Sequence, residues 1–267
     1  MTDAQSNRMK SISRTFSASW PAALLIALIL VAWELYAQFS GIKVTTLPPP
    51  SRVVQQMVMN SGTLLDNALP TIAATLVGFA LSVTAAFFWS VLVDFFHPVR
   101  RALFPVFIIS QTLPLVAIAP LIVLWFGFGL APKIMLVALV TFFPMLVALV
   151  QGYDATDTEI EQLLKSMGAS RRKIFLAARL PSALPYFFAG LKISITYAVV
   201  GAIFAEYAGA ARGLGIYILN AKNNFRPDLV LAAVGVSAGL TLLLFGLTAI
   251  LHRVSMPWER LDKGGKP

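Results

Sequence analysis

A chain of 267 residues with 58% hydrophobic residues, 12% charged residues and a mean hydropathy of +0.78 is far more apolar than an ordinary soluble domain. It has no cysteine and two isolated histidines, His97 and His252, which excludes a disulfide framework, a thiolate metal site and an imidazole cluster; no metal site is expected. The net charge of +9 is carried in short loops between apolar runs, where it sets topology and meets anionic membrane lipid instead of forming a face for nucleic acid.

A spanning helix needs about 20 mostly apolar residues. Six runs qualify: Trp20 to Phe39, Leu69 to Val93, Leu103 to Phe126, Ala131 to Val150, Leu184 to Ala205 and Leu229 to Leu251. The first follows Arg8, Lys10 and Arg14 and so has the flank of a signal peptide ending near Ala37. Its stretch is longer than a signal core, and Trp33, Glu34 and Tyr36 mark its far end as interfacial anchors would, so it is read as a retained span. Next, Leu47-Pro48-Pro49-Pro50-Ser51 favours an extended entry, with Ser51 placed to cap a short amphipathic helix from Arg52 to Met59 at the outer interface.

The third run contains Gln111, Thr112, Pro114 and Pro120, and the fourth contains Thr141 and Pro144. Polar groups and helix breaks are costly in lipid and tend to face a cavity, which makes Gln111, Thr112 and Thr141 candidates for the wall of a path. Glu206, near the outer end of the fifth run, is placed to pair with Arg212 or to cap the glycine-rich turn Gly213 to Gly215, a structural or gating role. In the sixth run Gly235 and Gly239 have the spacing that lets helices approach closely, within one subunit or between two copies. Lys and Arg number 3, 2, 5 and 4 in the N-terminal stretch, the second and fourth loops and the C-terminal stretch, against 2, 1 and 3 on the opposite side, where the single one is Lys133 at the head of the fourth run. Both termini are therefore expected in the cytoplasm. The expected fold is all-α and polytopic: a tail over 1–19, a six-span domain over 20–251 and a second cytoplasmic tail over 252–267.

The fourth loop, Gln151 to Pro181, is the longest on its side and the richest in charge, and loops of that kind usually serve a function. Leu163, Leu164 and Met167 form an apolar face at helical spacing, Gly168 suits a helix C-cap, and Ser170 suits the cap of a following helix that carries Arg171, Arg172 and Lys173. A helix, a tight turn and a second helix are predicted, ending at Leu180-Pro181.

This loop resembles the EAA loop of binding-protein-dependent ABC importer permeases, which reads Glu-Ala-Ala, three residues, Gly, nine residues, a hydrophobic residue, one residue, then Leu-Pro. Gly168 and Leu180-Pro181 fall at those intervals, Ala178 takes the hydrophobic place, and Gln162, Leu163 and Leu164 stand where the family has Glu-Ala-Ala. Further matches point to the nitrate, sulfonate, taurine and pyrimidine-precursor branch: Leu47 to Val53, Ala119-Pro120-Leu121 leading to Leu124 to Gly129, Phe143-Pro144, and Glu206 with Gly209-Ala210 and Gly213-Leu214-Gly215. Members commonly carry an arginine near position 74, where this chain has Ala74.

The resemblance implies a permease of the bacterial inner membrane, with third to fifth spans around the path. It also implies an ATPase pair as partner, a periplasmic or lipid-tethered solute-binding protein, and a second permease copy, most economically as a homodimer. Gln162, Leu163, Leu164, Met167, Gly168, Ala169, Ser170, Arg171 and Arg172 would form the coupling contact, with Leu164 and Met167 supplying its apolar part. The chain lacks a Gly-Lys-Ser/Thr phosphate loop, so it is expected to be no enzyme and to hold no cofactor, with ATP and Mg on the partner. The rival reading, a transporter driven by an ion gradient, wants paired intramembrane carboxylates or broken-helix ion sites, and apart from Glu34 and Glu206 near span ends the runs carry no acid. Alkanesulfonate, taurine, nitrate, a thiamine pyrimidine precursor and riboflavin all remain open as solutes, and the absence of a cationic cluster inside the spans disfavours a strongly anionic ligand and leaves a neutral or weakly charged heterocycle preferred.

Overall fold

The computed structural model describes residues 3–110 and 112–257, and every regular element among them is helical. In chain order these are α1 (Asp3–Phe39), α2 (Pro50–Met59), α3 (Ser61–Phe95), α4 (His97–Ser110), α5 (Leu115–Phe126), α6 (Leu130–Asp154), α7 (Thr158–Ser166), α8 (Arg171–Ile174), α9 (Leu180–Tyr207), α10 (Leu214–Asn223) and α11 (Pro227–Ser255). Five described helices are long and apolar enough to cross a membrane. The third apolar run is not one helix: α4 and α5 are bent by 104° at their break, and they make a sixth span only if the pair counts as one. Pro114, extended at φ −69° and ψ 120°, starts α5, and a residue without an N–H cannot continue the helix before it. Gln111 and residues 258–267 of the expected C-terminal tail lie outside the described residues.

A second difference concerns Leu180-Pro181. The helix does not stop there. A π-helical turn, Phe175–Arg179, joins α8 to α9, so that one helical path runs from Arg171 to Tyr207. The wider turn lies just ahead of Pro181, which has no N–H to offer the regular ladder.

One compact unit holds α1, α2 and Ala221–Ala232. The expected Ser51 cap does not form. The helix begins at Pro50 with no side-chain cap from its own flank, and Glu34 of α1 accepts from the Ser51 N–H at 2.9 Å and from its hydroxyl at 2.7 Å. A carboxylate at that position complements the positive end of α2. Asp228 at the head of α11 accepts from Arg52 at 3.3 Å and from Arg226 at 2.9 Å.

The other unit covers Gly62–Asn220 and the rest of α11. Its centre is an antiparallel seam of α6 and α9 made of small residues. A Cβ on Gly152 would lie 2.6 Å from the Ala183 Cα, one on Gly190 would lie 2.7 Å from the Ala148 Cβ, and one on Gly201 would lie 2.9 Å from a Val140 methyl. Gly78 brings α3 as close to Val137 of α6, at 2.7 Å. Lipid gives no hydrophobic drive between helices, so close backbone approach and dispersion hold such a bundle. Towards one end the core is Met145, Leu146, Leu149, Tyr153, Phe175 and Phe188. Gly235 and Gly239 of α11 are both exposed, and nothing within 4 Å faces a Cβ at Gly239.

Candidate functional site

At the end of the bundle where α6 finishes, α7 opens on Asp157, whose side chain accepts from the Glu159 N–H at 2.8 Å. It closes with the Gly168 N–H on the Lys165 carbonyl at 3.0 Å and the Ala169 N–H on the Leu164 carbonyl at 2.9 Å. Those two bonds are a Schellman cap, which needs the left-handed Gly168 at φ +76°. Ser170 then caps α8 by accepting from the Lys173 N–H at 3.4 Å. This geometry sets the phase of α7. Ile160, Leu163 and Met167 form the exposed apolar stripe, at 49%, 60% and 74% exposure, while Leu164 turns inward to half-burial. The outward apolar face thus includes Ile160 and omits Leu164.

No residue of α7 is buried, and its tie to the bundle is ionic. Arg179, at the end of the π-helical turn, donates from Nε to Glu161 of α7 at 2.6 Å and from Nη1 to Asp94 of α3 at 2.5 Å. The guanidinium holds the Glu161 carboxyl below the usual carboxylate range. Gln162, in the place of the family's acid, is exposed, and the acid one position earlier makes the contact.

At the opposite end of α3 and α9 lies a second charged cluster, this one closed to water. Glu206 is fully buried, and Lys133 of α6 meets it at 3.1 Å with 7% of its side chain exposed. Glu206 also accepts from the Thr71 hydroxyl at 2.8 Å and the Gly215 N–H at 2.7 Å. Thr71 accepts in turn from the Leu214 N–H at 2.9 Å, and Asn67 from the Gly213 N–H at 3.1 Å. Of the two arrangements expected for Glu206, the cap of the glycine-rich turn is present in the bond from the Gly215 N–H, and the pairing with the Arg212 side chain is not: Arg212 contributes its carbonyl, which accepts from Lys133 at 2.7 Å. The glycines are required by contact, because a Cβ on Gly213 would lie 2.1 Å from the Glu206 carboxyl carbon, and one on Gly215 would lie 2.5 Å from the Ile203 carbonyl oxygen.

Along α6 and α9 a cavity of about 440 Å³ is lined by Ser110, Phe143, Pro144, Gln151, Tyr197 and apolar neighbours, without a charged side chain. Thr112, exposed, donates back to the Ile109 carbonyl at 2.7 Å in the break beside this face. Thr141 lines none of it. It is fully buried, donates to the Val137 carbonyl at 2.8 Å, and offers its carbonyl to the Ser194 hydroxyl at 3.1 Å. Its place is in packing α6 against α9, not on a wall.

Residues 78–254 match the family model described as the binding-protein-dependent transport system inner membrane component. The chain belongs to this family. It is 34% identical to the formylaminopyrimidine transport permease ThiX of Halalkalibacterium halodurans, over 93% of this chain and 99% of that one. It is 34% identical to the riboflavin transport permease RibX of Chloroflexus aurantiacus, over 95% and 96%, and 31% identical to the taurine transport permease TauC of Escherichia coli, over 92% and 95%. The fold agrees with the inward-facing MetNI methionine ABC transporter at a TM-score of 0.64 and 18% identity, over 73% of this chain and 96% of that one. It is a multi-pass inner-membrane permease subunit of an ABC importer, a transport component.

In this permease, sequence reasoning singled out the Gly168 turn and Glu206 but missed their partners. Lys133 and Arg179 entered only in the count of charges that sets topology, and Thr71, Asn67, Asp94 and Glu161 were not singled out as partners at all. One signal was available: a lysine among the first residues of an apolar run is costly unless it finds a carboxylate, and Glu206 is an acid placed against an apolar run.

Proposed function

We propose that α7, the Gly168 turn and α8 form the docking element for an ATPase pair. The observation that carries this reading is the stripe of Ile160, Leu163 and Met167 held outward by the Schellman cap, flanked by Arg171 and Arg172. A short helix with an unpartnered apolar face suits a groove on another protein better than water. ATP and Mg belong on that partner, whose closure would move the attached spans as rigid bodies. On this reading the α7 end and both termini face the cytoplasm, as the charge asymmetry of the loops supports. The Glu206 end faces a solute-binding protein outside, and a second copy of the chain completes the path. An ion-gradient drive is disfavoured, because Glu206 is already engaged by Lys133, Thr71 and Gly215.

For the solute we infer a neutral, planar heterocycle. Support comes from the uncharged cavity beside Phe143 and Tyr197 and from the relatives named for formylaminopyrimidine and riboflavin. The docking role is tested by Gly168→Pro, which removes both the left-handed conformation and the N–H that bonds Lys165. Transport-coupled ATP hydrolysis should be abolished with membrane insertion intact, and normal coupling would sink the reading. Thermal-shift screening of the associated binding protein with riboflavin, a formylaminopyrimidine and taurine tests the solute class, and a response to taurine alone would overturn it.

A further inference from the structure

Arg179 is the point at which α7 is fastened to two membrane helices. α7 has no fully buried residue, and of its apolar side chains only Leu164 turns inward, to half-burial, so packing anchors it weakly. Its carboxylate at Glu161 is 12% exposed and meets Arg179 at 2.6 Å; Asp94, at the end of α3, is 7% exposed and meets the same guanidinium at 2.5 Å. Arg179 itself closes the π-helical turn that leads directly into α9. A planar guanidinium can hold two carboxylates in fixed directions at once, which a lysine ammonium on a flexible stem cannot do.

The neighbouring contacts give this link a firm base. Phe175, four residues earlier in the same turn, packs on Phe95 of α3 and on Tyr153 of α6, each with ring centroids 5.3 Å apart. Arg171 reaches the Phe95 carbonyl at 3.5 Å. A cavity of about 190 Å³ remains among Asp94, Phe95, Glu161, Arg171, Phe175 and Arg179, so the link is reachable by water and is not locked in a dry core. The turn is therefore seated on α3 and α6 by aromatic rings, while α7 hangs from it by charge.

We propose that Arg179 is the positioning residue through which displacement of α7 is delivered jointly to α3 and α9, by way of Glu161 and Asp94. The proposal rests on the reading of α7 as the docking element. Removal of the guanidinium leaves α7 free to move without the spans, so the complex hydrolyses ATP without moving solute.

The chain has no cysteine, so the permease itself adds no background to a placed label. Thr158→Cys on α7, away from the apolar stripe, and Phe88→Cys on α3 are both exposed positions for a spin-label pair in the full permease purified with its ATPase in nanodiscs. In the parent the inter-label distance distribution should stay narrow when ATP and Mg are added. In Arg179→Gln it should broaden, with solute moved per ATP falling about tenfold, the scale expected when one charge-assisted contact is lost. Arg179→Lys should behave like Arg179→Gln. Glu161→Gln, on an exposed helix whose loss cannot unfold the spans, should broaden the same distribution even if the arginine variants fold poorly. A lower melting temperature with an unchanged distribution and an unchanged ratio would mark Arg179 as merely structural and overturn the proposal. A Met167→Cys cross-link to the ATPase reports docking separately. If it is absent in the parent the docking reading fails, and the label distances still decide whether Arg179 fastens α7.

Discussion

The two charged clusters sit at opposite ends of the same helices, α3 and α9, and are built differently. Around Glu206 the basic partner is 7% exposed, and the carboxylate oxygens meet Lys133, Thr71 and the Gly215 N–H. Around Arg179 the cation is 28% exposed and stands beside an open cavity. Taking a charge out of water is costly, and a buried pair stays intact because breaking it costs more than forming it gained. The Arg179 cluster stands between this case and a surface pair: its cation reaches water while its carboxylates are 7% and 12% exposed, so opening it costs less than opening the buried pair. The first arrangement makes a fixed joint between α3, α6, α9 and the glycine-rich turn. The second makes a joint that can yield, at the end where α7 attaches.

The largest effects should come from the fixed joint. Lys133→Met leaves Glu206 buried without its counter-charge, and loss of one member of such a pair costs about 3–5 kcal/mol. A marked fall in melting temperature in detergent should follow, and Lys133→Met with Glu206→Gln should recover more than half of it, because the neutral amide still accepts from Gly215. No recovery would mean that Lys133 holds the Arg212 carbonyl more than it neutralises Glu206. Gly213→Ala should be comparably severe, since its Cβ would overlap the Glu206 carboxyl group.

Membrane spans were legible because an apolar run long enough to cross a bilayer, with almost no charge inside it, is poorly suited to a helix that water surrounds. The Gly168 turn was legible because a glycine followed two residues later by serine is a local signal that needs no partner. What escaped was decided by packing. Which residues of α7 face outward depends on where the Schellman cap falls, and that exchanged Leu164 for Ile160. The cap that Glu206 gives to the glycine-rich turn was legible because Gly215 is near it in sequence, but its charged partner depends on the α6 and α9 seam, so the nearby Arg212 was the expected cation and a residue 73 positions away is the one that pairs. Where the family resemblance places an arginine near position 74 this chain has the fully buried Ala74, and the buried cation paired with Glu206 is Lys133.

A middle-sized effect separates the turn from the spans. Gly168 has open space around it but a φ of +76°, so Gly168→Ala costs only the left-handed conformation, about 1 kcal/mol. The melting temperature of the bundle should stay within error, while hydrogen exchange of α7 and α8 amides quickens several-fold. Gly168→Asn should lie between the two, because asparagine tolerates that conformation better.

The smallest effect is a response to acid at the yielding joint. Arg179 lowers the Glu161 carboxyl from its ordinary value of 4.5, so the contact contributes fully above that value and is lost as pH falls through the lower folded one. A spin label at Thr158→Cys should therefore gain mobility only below about pH 4.5. Glu161→Gln cannot gain or lose that charge, so its label should be mobile already at pH 7 and insensitive to acid. Equal acid responses in the parent and in Glu161→Gln would place the titrating group elsewhere and remove Glu161 from the joint. An acid response confined to the parent would show that this end of the permease loosens through one carboxylate.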